Sequence, residues 1–291
     1  MDVTVLTPIL VGVFSGFLGS LMGFGGGVFI VPFLTLFENL PIHQCIPSSL
    51  IAVIATSITG GSSYIRQGIT NIKLAFLLEV STTLGALIGG IIALFISSWS
   101  LFIIFSILLF YISISAFRTR GSEEKGTKYG SVAIDRLSRF FNIKSEYYDR
   151  AARKKVTYTV LGVDKGLAIS FLAGIGSGLL GIGGGAIKVG AMNVFMNVPI
   201  KVAVGTSQFM LGATASTSAV LYLFAGLLNP ALTASLCIGT IIGTYIGSNL
   251  MNRFRSRTIK LMIALFLSYL AYMMLAKGLL LGFGLELPTI R

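Results

Sequence analysis

Charge is scarce in this 291-residue chain: 11% of its residues are Asp, Glu, Lys or Arg, under half the share typical of a soluble domain. Water is therefore not its main solvent. It has one histidine and two cysteines, Cys45 and Cys237, which lie far apart. That leaves no disulfide framework and no metal-ligand spacing, and no cofactor is expected. Glu79 is the one acid well inside an apolar run. Paired acids and nucleophile-base sets are missing from the spans, which weighs against a membrane-embedded enzyme. No G-x-x-x-x-G-K-[ST] loop exists, and Gly176-Ser177-Gly178-Leu179-Leu180-Gly181 matches G-x-G-x-x-G in letters only, without the soluble strand that would confirm it.

What is abundant is hydrocarbon. Apolar residues make up 54% of the chain, and runs long enough to cross a bilayer recur at Ile46–Tyr64, Ile72–Ile96, Leu101–Phe117, Ala203–Phe224, Ala231–Leu250 and Ile259–Leu275. This is an all-α integral membrane protein. The first apolar segment follows Met1-Asp2 without a basic n-region, so it is read as structure and not as a removed signal. The net charge of +12 is unevenly placed, with twelve of the 22 basic residues falling between Arg118 and Gly166. A cytoplasmic loop facing anionic headgroups accounts for that cluster better than nucleic-acid binding does. Within it an amphipathic helix is expected over Asp135–Lys155, with Leu137, Phe140, Phe141 and Ile143 on one side, lying on the membrane surface. A period-2 stretch, Val156–Val160, follows.

Glycine is the other abundance, and two triplets stand inside apolar runs: Gly25-Gly26-Gly27 and Gly183-Gly184-Gly185. A constant offset of 158 residues pairs them and also pairs Asn39 with Asn197, Pro41 with Pro199, Thr56 with Thr214, Tyr64 with Tyr222, Gly68 with Gly226 and Asn71 with Asn229. The chain is a duplication: residues 1–117 form one membrane repeat, 118–166 a basic insert, and 167–291 a second repeat. Matching loops carry opposite Lys/Arg bias. Ile65–Lys73 holds Arg66 and Lys73 whereas Ala225–Pro230 holds no base; Ser97–Ser100 has none whereas its counterpart is followed by Arg253, Arg255, Arg257 and Lys260. Opposite orientation in the membrane produces that pattern. The sequence thus predicts an inverted repeat of two five-segment halves, each with two short helices broken at a glycine tip plus three full spans. Both termini are expected outside and the insert inside.

A glycine triplet weakens a helix. Each break is read as a hairpin whose tip lies near the midplane, where its freed backbone groups must face protein or a cavity. There the second short helix offers unpaired N–H groups and the positive end of its dipole to a small anion. The alternative is that the glycines only permit close packing, which is the role expected of the pairs Gly12/Gly16, Gly85/Gly89, Gly174/Gly178 and Gly243/Gly247. Ser48, Ser49, Thr206 and Ser207 stand where each later helix opens and suit both N-capping and substrate contact, and Gln208 adds a further donor. Lys188 either adds charge to the site or snorkels to the headgroups. Glu79 either pairs with Lys73 or Arg66 or titrates during transport, with a role in coupling. His43 is expected in a solvated external loop.

The paired tips Gly23–Gly27 and Gly181–Gly185, Val31-Pro32 after the first, and Gly205-Thr206-Ser207 opening a later helix resemble the TauE/SafE sulfite exporter family, also called the toluene sulfonate uptake permease family. The resemblance covers nearly the whole chain outside the insert. The chain differs at Pro47-Ser48-Ser49, where the family often repeats Gly-Thr-Ser, and at Gln208, where an apolar residue is common. The resemblance implies movement of sulfite, organosulfonates or related sulfur-containing anions across the prokaryotic cytoplasmic membrane. The expectation is a secondary carrier working by alternating access, with a small anionic substrate, the lipid bilayer and a coupling proton as its partners; a homo-oligomer is compatible with this. An enzyme within the membrane and an anion channel are the alternatives.

Overall fold

The computed structural model describes residues 6–119, 136–141, 143–149, 153–251 and 257–288. The first stretch of the insert, the basic residues Arg253 and Arg255, and both chain ends lie outside the described residues. The first half comprises α1 (Leu6–Met22), α2 (Gly27–Leu36), α3 (Ile42–Arg66), α4 (Ile72–Phe95) and α5 (Ser98–Thr119). The insert contributes α6 (Arg136–Phe141), β1 (Lys144–Asp149) and β2 (Lys154–Thr159). The second half comprises α7 (Val163–Leu180), α8 (Gly185–Val194), α9 (Ile200–Phe224), α10 (Pro230–Met251) and α11 (Arg257–Phe283).

Six of these helices are long and apolar enough to cross a membrane: α3, α4, α5, α7, α10 and α11. At 25 residues α9 is as long as α3 but is not among them. Its polar residues, from Thr206 to Gln208 and from Thr214 to Ser218, lower its hydropathy, and many of them are buried against protein. The first helix of each half is longer than the sequence suggested, with 17 residues in α1 and 18 in α7. By the helical rise these reach about 25 and 27 Å; α7 is among the six, whereas α1, like α2 and α8, is not.

Helix pairs cross between the halves. α1 lies on α10, α7 lies on α4, α3 lies on α9, and α5 lies on α11. At the 158-residue offset the first two pairs exchange and the last two map onto themselves. Glycine permits the closest approaches. A side chain at Gly12 or Gly16 would meet the carbonyl oxygens of Leu236 or Thr240 at 2.7 and 2.6 Å, and Gly85, Gly174 and Gly243 are closed off by backbone oxygens of the helix opposite. The small-residue pairs therefore do serve packing. Outward faces are apolar: Phe76, Val80, Leu84, Ile88 and Phe95 on α4, and Ile238, Ile242 and Tyr245 on α10, are exposed. Hydrocarbon is the solvent that suits them.

Local structure recurs at the same offset. Asn39 and Asn197 both adopt left-handed backbone, at φ 53° and 55°. The Tyr64 hydroxyl donates to the Ser20 carbonyl at 2.7 Å, and the Tyr222 hydroxyl donates to the Gly178 carbonyl at 2.9 Å. Asn71 and Asn229 accept from the N–H of Leu74 and Leu232 at 3.1 and 3.2 Å, each at the start of its helix.

The insert departs from expectation. Instead of one helix over Asp135–Lys155, the described residues form a six-residue helix and then an antiparallel hairpin pairing Tyr147 with Val156 and Ser145 with Tyr158. Tyr, Thr and Val at alternate positions suit a half-buried strand better than a helix. The hairpin docks on protein: Ile143, Tyr147 and Tyr158 are buried in one cluster with Ile69, Leu74, Met196 and Val198. Lys201 at the start of α9 pairs with Asp149 at 2.7 Å, and the Asn71 side chain donates to the Tyr158 hydroxyl at 2.9 Å. Burial pushes the Tyr158 phenol above its usual pKa, outweighing opposing hydrogen bonds with Ser145 and Asn71.

Candidate functional site

Both helix breaks are tips of left-handed glycines. Gly23, Gly25 and Gly26 have φ of 76°, 81° and 77°, and Gly181, Gly183 and Gly184 have 72°, 73° and 69°. Residues with a Cβ rarely adopt this backbone, which is why the chain can turn here from one short helix into the next. The tips meet in the interior. Side chains added at Gly25 and at Gly183 would both touch the same two residues, Val53 and Leu211. A side chain at Gly27 would run into the Gly181 carbonyl, and one at Gly185 into the Gly23 carbonyl. The space that the missing side chains leave is filled by protein, so the packing explanation accounts for the glycines as such.

What packing does not consume is the N–H groups. Among the described residues no acceptor faces the backbone N–H of Gly27 and Val28 at the start of α2, or of Gly185, Ala186 and Ile187 at the start of α8. The Gly26 and Gly184 carbonyls are already engaged, accepting from Ile30 at 3.1 Å and Lys188 at 3.2 Å. Each tip therefore presents donors and the positive end of a short helix.

The hydroxyls expected at helix openings lie deeper. α3 begins at Ile42 and α9 at Ile200, with Pro41 and Pro199 at the caps, so Ser48, Ser49, Thr206 and Ser207 sit in the second turn and cap nothing. They bind the halves together instead. Ser49 donates to the Gly181 carbonyl at 2.8 Å, and Ser207 to the Gly23 and Gly185 carbonyls at 3.1 and 3.3 Å. Thr206 accepts the Asn71 N–H at 3.0 Å, and Ser48 accepts from Thr233 at 3.1 Å. Gln208 donates to the Thr56 carbonyl at 3.0 Å while its own amide oxygen is buried without a partner among the described residues. His43 lies in the first turn of α3 and not in a loop.

Lys188 and Glu79 are brought together. Lys188 is completely buried, so it does not snorkel. Its Nζ donates to Thr214 Oγ1 at 3.1 Å, and Thr214 Oγ1 donates to Glu79 Oε1 at 2.7 Å. Thr83 Oγ1 lies 3.4 Å from the same oxygen, and Glu79 Oε2 is buried without a partner among the described residues. Neither Lys73 nor Arg66 bonds to Glu79 among the described residues. Sequence reading missed Thr214 and Thr83, and it missed that Lys188 and Glu79 share one site. A signal was available: the one acid and one base deep in the apolar segments are each costly alone, and pairing is what makes such burial tolerable.

A many-spanned helical core with opposed interior tips, polar groups turned inward and apolar residues outward is the build of a multi-pass membrane transporter. The sulfite exporter TauE/SafE family model matches residues 9–274, and the chain belongs to that family. Among its relatives, the probable membrane transporter protein YunE of Bacillus subtilis is 26% identical over 93% of this chain and 97% of its own length. The probable membrane transporter protein YdhB of the same organism is 26% identical over 81% of this chain and 84% of its own. A probable membrane transporter protein of Xylella fastidiosa is 23% identical, covering 82% of each chain. The family's description and the relatives' names indicate membrane transporters, not enzymes. No solved structure matches the chain significantly.

Proposed function

We propose that the protein is a secondary carrier for a small sulfur-containing anion, such as sulfite or a sulfonate, and that it works by alternating access of two oppositely oriented halves around the tips of α2 and α8. The observation that carries this reading is the pair of interior helix starts whose first-turn N–H groups have no acceptor. An anion stripped of water needs such donors, and they are fixed in place before it arrives. Gly25–Gly27 and Gly183–Gly185 shape the tips, Lys188 supplies the one fixed positive charge nearby, and Ser48, Ser49, Thr206, Ser207 and Gln208 form the polar wall between the halves. Glu79 serves coupling to protons.

Loop charge supports placing the termini outside and the insert in the cytoplasm of a prokaryotic cell. In a variant lacking Cys45 and Cys237, Ser131→Cys should resist an impermeant thiol reagent applied to intact cells; labelling there refutes this orientation. The reading as a whole is tested by flux of labelled sulfite, sulfate, thiosulfate and methanesulfonate into proteoliposomes, with and without a pH gradient. Saturable flux of at least one sulfur anion is expected. Rates equal to protein-free vesicles for all four would overturn it.

A further inference from the structure

Glu79 and Lys188 bury opposite charges without forming a direct ion pair, because the Thr214 hydroxyl stands between them. An ammonium has three hydrogens to donate. Only one of Lys188's meets an acceptor among the described residues, and on the other side Glu79 Oε2 is unpartnered although buried. Both groups therefore have unused capacity in the same place. Among the described residues of the neighbouring elements, no other charge competes. α9 carries Lys201, which is committed to Asp149, and Tyr222, which is committed to the Gly178 carbonyl. α7 carries Asp164 and Lys165 in its first turn, both exposed, and α4 carries Lys73, also exposed. α5 carries Tyr111, exposed, and α8 has no ionisable group besides Lys188.

We propose that Lys188, Thr214 and Glu79 form a proton-exchanged anion site, in which the transported anion and the Glu79 carboxylate alternate as counter-ion to Lys188. This deepens the carrier reading and rests on it. With Glu79 ionised, the buried pair is neutral, and an entering anion would leave one uncompensated negative charge in a medium that penalises it heavily. With a proton added to Glu79, the ammonium is left without a counter-ion and the anion supplies one. Proton and monovalent anion thus enter together with no change in the buried charge, and they leave together. A divalent anion carries one charge that this exchange does not balance, so the site favours monoanions such as sulfonates.

Thr214 is a positioning residue in this exchange. Its hydroxyl now donates to Glu79, and it has a second acceptor in reach, the Met210 carbonyl at 3.3 Å. Turning to that carbonyl lets its oxygen accept from a protonated Glu79 while it still accepts from Lys188. The positions related to these three by the 158-residue offset are Ile30, Thr56 and Cys237, which hold no charge, so the exchange site is single and the stoichiometry is one anion per cycle.

The test is binding of labelled methanesulfonate, whose charge is constant where sulfite's is not, to the purified full chain across a pH series. Wild-type affinity should fall by about tenfold per pH unit once Glu79 titrates. Glu79→Gln should bind with an affinity independent of pH, at or above the wild-type value at low pH. Lys188→Met should lose at least about tenfold at every pH. Because that variant strands a buried carboxylate, Lys188→Met/Glu79→Gln is the control that keeps the site neutral, and it too should bind weakly. An unchanged pH slope in Glu79→Gln, or wild-type affinity in the double variant, overturns the proposal. Sulfur-anion flux that is indifferent to pH would reject this exchange and leave the carrier reading standing; absence of both binding and flux in the wild type would sink the carrier reading itself.

Discussion

The two tips share a backbone and differ in chemistry. Around the second, Lys188, Thr214 and Glu79 make a polar chain across α8, α9 and α4. Around the first, the matching places hold Ile30, Thr56 and Cys237, and Thr56 turns its hydroxyl to the Gly25 and Val53 carbonyls at 3.2 and 2.8 Å. Yet the left-handed glycines, the asparagines after α2 and α8, and the tyrosine hydroxyls bonded to the first helix of each half recur on both sides. What builds the tips recurs on both sides, while among the described residues the buried charges of Lys188 and Glu79 stand at one tip only. A buried charge is costly enough that a second copy would need its own partner.

That contrast can be broken most forcefully at the lysine. Lys188→Met should destabilise the protein by about 3–5 kcal/mol, because it leaves Glu79 buried and uncompensated. Ile30→Met, at the equivalent place, should cost less than about 1.5 kcal/mol. Unfolding in detergent measures both, and similar losses would mean that Lys188 and Glu79 do not depend on one another.

The glycines should respond alike on the two sides, with a difference of degree. Alanine at Gly26 or Gly184 must adopt a positive φ, and its methyl would lie 3.2 Å from the Ser15 carbonyl in the first case and 2.5 Å from the Ala173 carbonyl in the second. Losses on the order of 2–4 kcal/mol are expected, larger at Gly184. A Gly184→Ala protein that melts like the wild type would show that the tip is not packed as described.

Tyr64→Phe and Tyr222→Phe each delete one buried hydrogen bond to a carbonyl, at about 1 kcal/mol apiece. Equal effects sharpen the equivalence of the halves, and a loss confined to one would argue that the other hydroxyl has found water. Smallest of all is the hairpin's outer pair. Lys155 and Glu146 lie 3.5 Å apart and are well exposed, so Glu146→Gln should shift the melting temperature scarcely at all. Asp149→Asn, at the half-buried bond to Lys201, should shift it measurably more.

Much of this was legible in the sequence because it rests on local chemistry. Apolar runs, glycine triplets and the constant offset disclosed the helices, the breaks and the local structures that recur 158 residues apart. Boundaries were less legible. Pro41 and Pro199 start α3 and α9 earlier than the hydroxyls suggested, since proline suits the beginning of a helix and its missing N–H costs nothing there. The period-2 stretch at Val156–Val160 marked the second strand of the hairpin, but the first was misread because Leu137, Phe140 and Phe141 mimic a helical face that the strand-forming tyrosines beyond them do not continue. The polar chain needed three helices at once. Glu79, Lys188 and Thr214 share no periodicity, and only the packing of α4 and α8 on α9 joins them. The roles of Ser49 and Ser207 were hidden for the same reason, as their acceptors lie on tip carbonyls far away in sequence.

Counterflow tests the central claim most directly. Proteoliposomes loaded with unlabelled methanesulfonate and diluted into a trace of the labelled anion should accumulate label transiently above its equilibrium level, because a carrier that alternates returns inward with whatever the outside offers. The overshoot should persist in Ile30→Met and vanish in Lys188→Met/Glu79→Gln. Label that only rises to equilibrium in the wild type, or an overshoot of normal size in the double variant, would contradict the account.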